Sequence, residues 1–62
     1  MEKLSIEAIR AQLKMTQEDM AKALGMSVAT YIQKVKKRTE WKSGELIKIK
    51  QISGIGLDNI DF

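Results

Sequence analysis

The sequence predicts an all-α fold of five short helices, at about residues 6–14, 17–24, 28–36, 44–53 and 57–60. Three observations carry this expectation. Apolar residues recur at i, i+3 and i+7, the spacing of one helical face. A small polar residue flanked by apolar ones, the mark of a helix start, comes at Ser5, Thr16 and Ser27. No stretch alternates with period two over a useful length, so no strand is expected.

The first helix opens at Ser5, a candidate N-cap, and carries Ile6, Ile9 and Leu13 on one face. Leu4 before the cap pairs with Ile9 in the manner of a hydrophobic staple. The second opens at Thr16, where Thr16-Gln17-Glu18-Asp19 reads as a capping box with Asp in place of Glu or Gln. Met15 and Met20 take its staple positions, Met20, Ala21 and Leu24 form its apolar face, and Gly25 stops it. The third opens at Ser27, with Met26 and Tyr31 as staple residues. Ser43 is the candidate cap of a fourth, which places Leu46, Ile49 and Ile52 on one face and stops at Gly54. A last turn presents Leu57 and Ile60 to the core.

Sixty-two residues allow one domain, so residues 1–62 are read as a single unit. A chain of this size buries only about 60% of its unfolded surface, which makes its stability marginal. It has no Cys and no His. That removes disulfides, soft-metal sites, Cys or His nucleophiles and a His general base. Glu18 and Asp19 resemble a paired acidic site, but at a helix start they complement the dipole. With no nucleophile–base pair, metal set or phosphate loop, neither an enzyme nor a cofactor is expected. The opening Met1-Glu2-Lys3-Leu4-Ser5 lacks the apolar core of a signal peptide. No apolar run approaches the roughly 20 residues of a membrane span. A cytoplasmic protein that does not engage the membrane is expected.

The net charge of +3 is unevenly spread. Residues 1–26 carry four basic and four acidic groups, and residues 51–62 only Asp58 and Asp61. Residues 27–50 carry seven basic groups against Glu40 and Glu45, a net +5. A basic middle suggests an anionic partner docked at one place.

Helices two and three, joined through Gly25-Met26-Ser27, make a helix-turn-helix. Ala21 is small where the helices cross, Gly25 supplies the positive φ of the turn, and Met20, Leu24 and Tyr31 fill the wedge between them. The third helix is thereby held clear, its first residues free to enter a major groove. The run from Thr16 to Ser27 resembles the core of the phage repressor and Cro-like (XRE-type) family. Leu4-Ser5-Ile6-Glu7-Ala8-Ile9-Arg10 is similar to the first helix of many small bacterial and phage members. Arg38-Thr39-Glu40-Trp41 and Gly56-Leu57-Asp58-Asn59-Ile60 resemble the post-recognition loop and last helix. The likeness spans about residues 4–60.

This resemblance implies a compact five-helix repressor-like domain that binds double-stranded DNA, commonly as a homodimer on a two-fold operator. By position, Gln17 would bond a phosphate, Val28, Ala29 and Gln33 would face base edges, and Arg38 would contact phosphate. Residue chemistry adds to this. Gln33 can read adenine through its amide, Val28 and Ala29 offer apolar contact to thymine methyls, and Thr30 can bond a base or phosphate. Ser27, Lys36, Lys37 and Lys42 join Gln17 and Arg38 as phosphate candidates. So thin a polar set predicts modest specificity, partly from DNA shape.

Three positions depart from the family pattern. Val35 stands where an acidic residue often pairs with the Arg at position 10, which leaves Arg10 free for phosphate or another carboxylate. Lys37 stands where the family usually has Gly. Lys34 occupies an often apolar position, with Val35 as the alternative core residue. Trp41 reads as a plug over the core and the methionines as packing residues. With the chain ending at Phe62, a Cro-like repressor is the nearest type. Ile47, Ile55, Ile60 and Phe62 are the candidates for self-contact. The alternative function is a protein-binding module on the same fold, such as an antirepressor with a protein partner.

Overall fold

The computed structural model describes residues 3–62. The order is β1 (Leu4–Ser5), α1 (Ile6–Gln12), α2 (Gln17–Ala23), α3 (Val28–Val35), α4 (Ser43–Ser53), a 3-10 turn (Leu57–Asn59) and β2 (Ile60–Asp61). The chain is thus mostly helical, with four α-helices among the described residues, none of them long and apolar enough to cross a membrane.

The first three helices start as their caps dictate. Ser5 Oγ accepts from the Ala8 N–H at 3.1 Å, and Ser27 Oγ from the Thr30 N–H at 3.2 Å. At Thr16 the capping box is complete: Thr16 Oγ1 accepts from the Asp19 N–H, and Asp19 Oδ2 accepts from the Thr16 N–H, both at 3.0 Å. The Thr16 N–H, and next the Thr16 hydroxyl, hold the Asp19 carboxyl below its usual range.

The same three helices also end alike. Each closes with a left-handed residue and the paired 6→1 and 5→2 bonds of a Schellman motif. At the end of α1 the left-handed residue is Lys14 (φ 56°), with Met15 N–H on Arg10 O and Lys14 N–H on Ala11 O. At α2 it is Gly25 (φ 74°), with Met26 N–H on Ala21 O and Gly25 N–H on Lys22 O. At α3 it is Lys37 (φ 60°), with Arg38 N–H on Gln33 O and Lys37 N–H on Lys34 O. The loop after α3 therefore keeps the left-handed turn without the glycine. α4 stops, as expected, at left-handed Gly54 (φ 73°).

The core is Ile6, Ile9, Met20, Ala21, Leu24, Tyr31, Leu46, Ile49 and Ile60. Leu4, Met15 and Met26, the residues before the three caps, pack against it. Trp41 also seats on it, edge-on to Tyr31 with ring centroids 6.1 Å apart.

The structure corrects five expectations. β1 and β2 pair in parallel, Leu4 with Ile60 and Ser5 with Asp61, where no strand was expected. Two-residue strands from opposite ends of the chain leave no alternation to read. The last element is a three-residue 3-10 turn rather than a fifth α-helix, because Ile60 leaves it for β2. The α4 cap is Lys42 rather than Ser43, and Glu45 Oε1 accepts from the Lys42 N–H at 2.8 Å in place of a hydroxyl cap. Ile52 is exposed: three-residue steps from Leu46 through Ile49 drift off the buried stripe of a 3.6-residue helix. α3 has not rotated to bury Val35. Lys34 itself occupies the core position, and Val35 packs at its margin.

Candidate nucleic-acid interface

α2 and α3 pack on each other across Leu24–Ser27, with Met20, Ala21, Leu24 and Tyr31 buried between and beneath them. Tyr31 and Lys34 mark the inward stripe of α3. On the opposite side Ala29, Gln33 and Lys36 share an outward stripe at i, i+4 and i+7. Val28 and Thr30 flank it near the first turn. All ten sequence-predicted site residues (Gln17, Ser27, Val28, Ala29, Thr30, Gln33, Lys36, Lys37, Arg38 and Lys42) are exposed.

Several of them have internal partners. The Ser27 hydroxyl donates to Thr30 Oγ1 at 2.9 Å, which orients the Thr30 hydroxyl and leaves its own proton to donate. Lys37 Nζ lies 3.6 Å from Asp61 Oδ1, an exposed pair too weak to hold the lysine back. The Gln17 amide donates to Glu7 Oε1 at 3.1 Å, and one amide hydrogen stays unassigned.

Arg10, left without an acidic residue at position 35, is paired instead to Glu7. Its Nε and Nη2 reach Glu7 Oε2 at 2.8 and 2.6 Å, and its Nη1 donates to Met15 O at 2.6 Å. Partial burial alone would push the Glu7 carboxyl up. The bonds from Arg10 and Gln17 outweigh it and hold the group below its usual range. Sequence alone does not single out Glu7 as a site residue. Its i, i+3 spacing to Arg10 was a local signal; its reach to Gln17, across the α1–α2 turn, was not.

Lys34 fixes the loop that carries the cations. Its side chain is 7% exposed, with Nζ 2.9 Å from Glu40 O, 3.1 Å from Glu45 Oε1 and 5.9 Å from the Trp41 ring centroid. Burial raises the Glu45 carboxyl, but the Lys42 N–H and Lys34 together bring it below its usual range. The buried ammonium thus joins α3, the Glu40–Trp41 segment and α4. Lys36, Lys37 and Arg38 follow α3 just before that clamp and Lys42 comes just after it.

A family model described as helix-turn-helix matches residues 6–52. The chain belongs to this helix-turn-helix family, of the XRE type. The family is one of DNA-binding transcription regulators rather than of enzymes. No curated protein and no solved structure gives a significant match to the chain.

Proposed function

We propose that this chain is a sequence-specific, Cro-like regulator whose 62 residues form one domain that docks α3 in the major groove of duplex DNA. The observation that carries the proposal is α3 itself. Its inner face is locked by Tyr31 and by the bonded Lys34, while Val28, Ala29, Thr30 and Gln33 are exposed and Lys36, Lys37 and Arg38 follow directly. Gln33 reads a base edge, Val28 and Ala29 meet thymine methyls, and Thr30 bonds base or phosphate. Gln17, Ser27, Lys36, Lys37, Arg38 and Lys42 take phosphates.

A single module buries only about 600–1,000 Å² on DNA. Two copies on half-sites about 34 Å apart would double that. Among the self-contact candidates, Ile60 is buried and Ile55 partly buried, so they are spent on the core. Ile47 and Phe62 remain exposed at 48% and 52%, and the proposed homodimer uses them. A cytoplasmic site of action, where the chromosome of a bacterium or prophage lies, belongs to the same reading.

Equilibrium binding to duplex DNA tests it. Gln33→Ala is expected to lower the preference for the best site over random duplex by about 1–3 kcal/mol. Arg38→Ala is expected to weaken both about equally and to reduce the slope of log K against log[salt] by about 0.9. A preference untouched by Gln33→Ala would contradict the docking of α3. Binding of a protein partner, insensitive to salt, with no affinity for duplex DNA would favour the antirepressor-like alternative.

A further inference from the structure

Glu7 sits at the α1–α2 junction, beside the buried hydroxyl of Tyr31. It is partly exposed, and its two carboxylate oxygens divide between the two polar groups at the α1–α2 junction. Oε2 takes the Arg10 guanidinium, and Oε1 takes the Gln17 amide. Arg10 in turn holds Met15 O, one residue before the α2 cap. The Arg10 guanidinium is therefore discharged within its own helix, beside the amide proposed to seat a phosphate, while Lys14 in the same turn is exposed.

We infer that Glu7 is a specificity-determining positioning residue, a brake on sequence-independent DNA binding. The inference rests on the reading of Gln17 as a phosphate contact. Glu7 acts through two neighbours. It neutralises Arg10, which would otherwise add one phosphate-facing positive charge next to Gln17. It also holds the Gln17 amide in one orientation, so that only its second hydrogen remains for a phosphate. Keeping the Arg10 charge off this seat leaves discrimination to the α3 side chains. A free guanidinium would strengthen binding to every sequence alike and dilute the contribution of Gln33.

Glu7→Gln separates the two roles, because a glutamine still accepts from Gln17 but no longer discharges Arg10. Binding of random-sequence duplex DNA is compared for the wild-type chain, Glu7→Gln and the double variant Glu7→Gln/Arg10→Gln, from 50 to 200 mM salt, with circular dichroism as the check on folding. For Glu7→Gln the expected result is tighter binding at low salt and a slope steeper by about 0.9, equal to a further loss of about 3.5-fold across that range. The double variant is expected to return to the wild-type slope, which assigns the added charge to Arg10; a shallower slope in it overturns the inference even if the single variant does not fold. An unchanged slope in Glu7→Gln overturns the inference. So does a double variant about 0.9 shallower than wild type, since Arg10 would then already contact phosphate. Wild-type binding with flat differences among variants overturns this inference alone; no duplex binding by any of them overturns the proposed function as well.

Discussion

Tyr31 is the largest fully buried side chain of the core, and its Oη is buried without a well-aligned hydrogen bond beside Glu7 and Arg10. Burial, and next the Glu7 charge, push its phenol far above the usual range. A neutral hydroxyl enclosed without a partner carries a desolvation penalty that a ring of the same shape avoids. Tyr31→Phe is therefore expected to stabilise the fold by about 1 kcal/mol, which for a domain of this size is a rise of about 4–8 °C in Tm. A fall in Tm by calorimetry would mean that the hydroxyl bonds Glu7 in solution. At this scale the sequence was informative where chemistry is local. The hydroxyl caps at Ser5, Thr16 and Ser27 follow from one residue and the next three. Lys34 was harder: its alkyl stem suits an apolar position, but only the fold brings Glu40 O, Glu45 and Trp41 around its ammonium.

The helices are cut to length by repeated devices. Ser5, Thr16 and Ser27 start three of them at intervals of eleven residues, and Lys14, Gly25 and Lys37 end them. Only Gly25 announces its left-handed conformation. The two lysines adopt it because the Schellman bonds over-determine the turn, and their charge suits a helix C-terminus. The left-handed region costs an L-residue roughly 1–2 kcal/mol, part of which glycine loses again through its freer unfolded chain. Lys37→Gly is expected to raise stability by about 0.5 kcal/mol in urea unfolding while making the salt slope of DNA binding shallower by about 0.9. Lower stability in the glycine variant would show that the lysine side chain contributes more than the strain it bears. The junction of α3 with α4 depends on Lys34. Lys34→Ala removes a charge-assisted bond and the stem packing, and leaves Glu45 with the Lys42 N–H alone. A loss of about 2–3 kcal/mol is expected, with Lys34→Met recovering the packing share. A Lys34→Ala variant within 0.5 kcal/mol of wild type, roughly the noise of such comparisons, would remove that role.

Over the whole molecule, the parallel pairing of Leu4–Ser5 with Ile60–Asp61 ties the start of α1 to the end of the described chain and buries Ile60. Nothing local in either dipeptide marks it, because pairing between distant segments is a property of the closed fold. The helix-turn-helix, by contrast, was legible from Thr16 to Ser27, since its cap, small crossing residue and turn glycine are adjacent in sequence. The candidate interface is legible to the same degree. Exposure of Val28, Ala29, Thr30 and Gln33 follows from helical period once Tyr31 is assigned to the core, whereas the Glu7–Gln17 bond depends on how α1 and α2 meet. The central claim, a sequence-reading protein that binds as two copies, is tested most directly by selecting bound sites from a random duplex DNA pool near physiological salt. The expected result is an enriched motif with two-fold symmetry and half-sites about one helical turn apart. Recovery of DNA without an enriched motif, or no recovery at all, would contradict it.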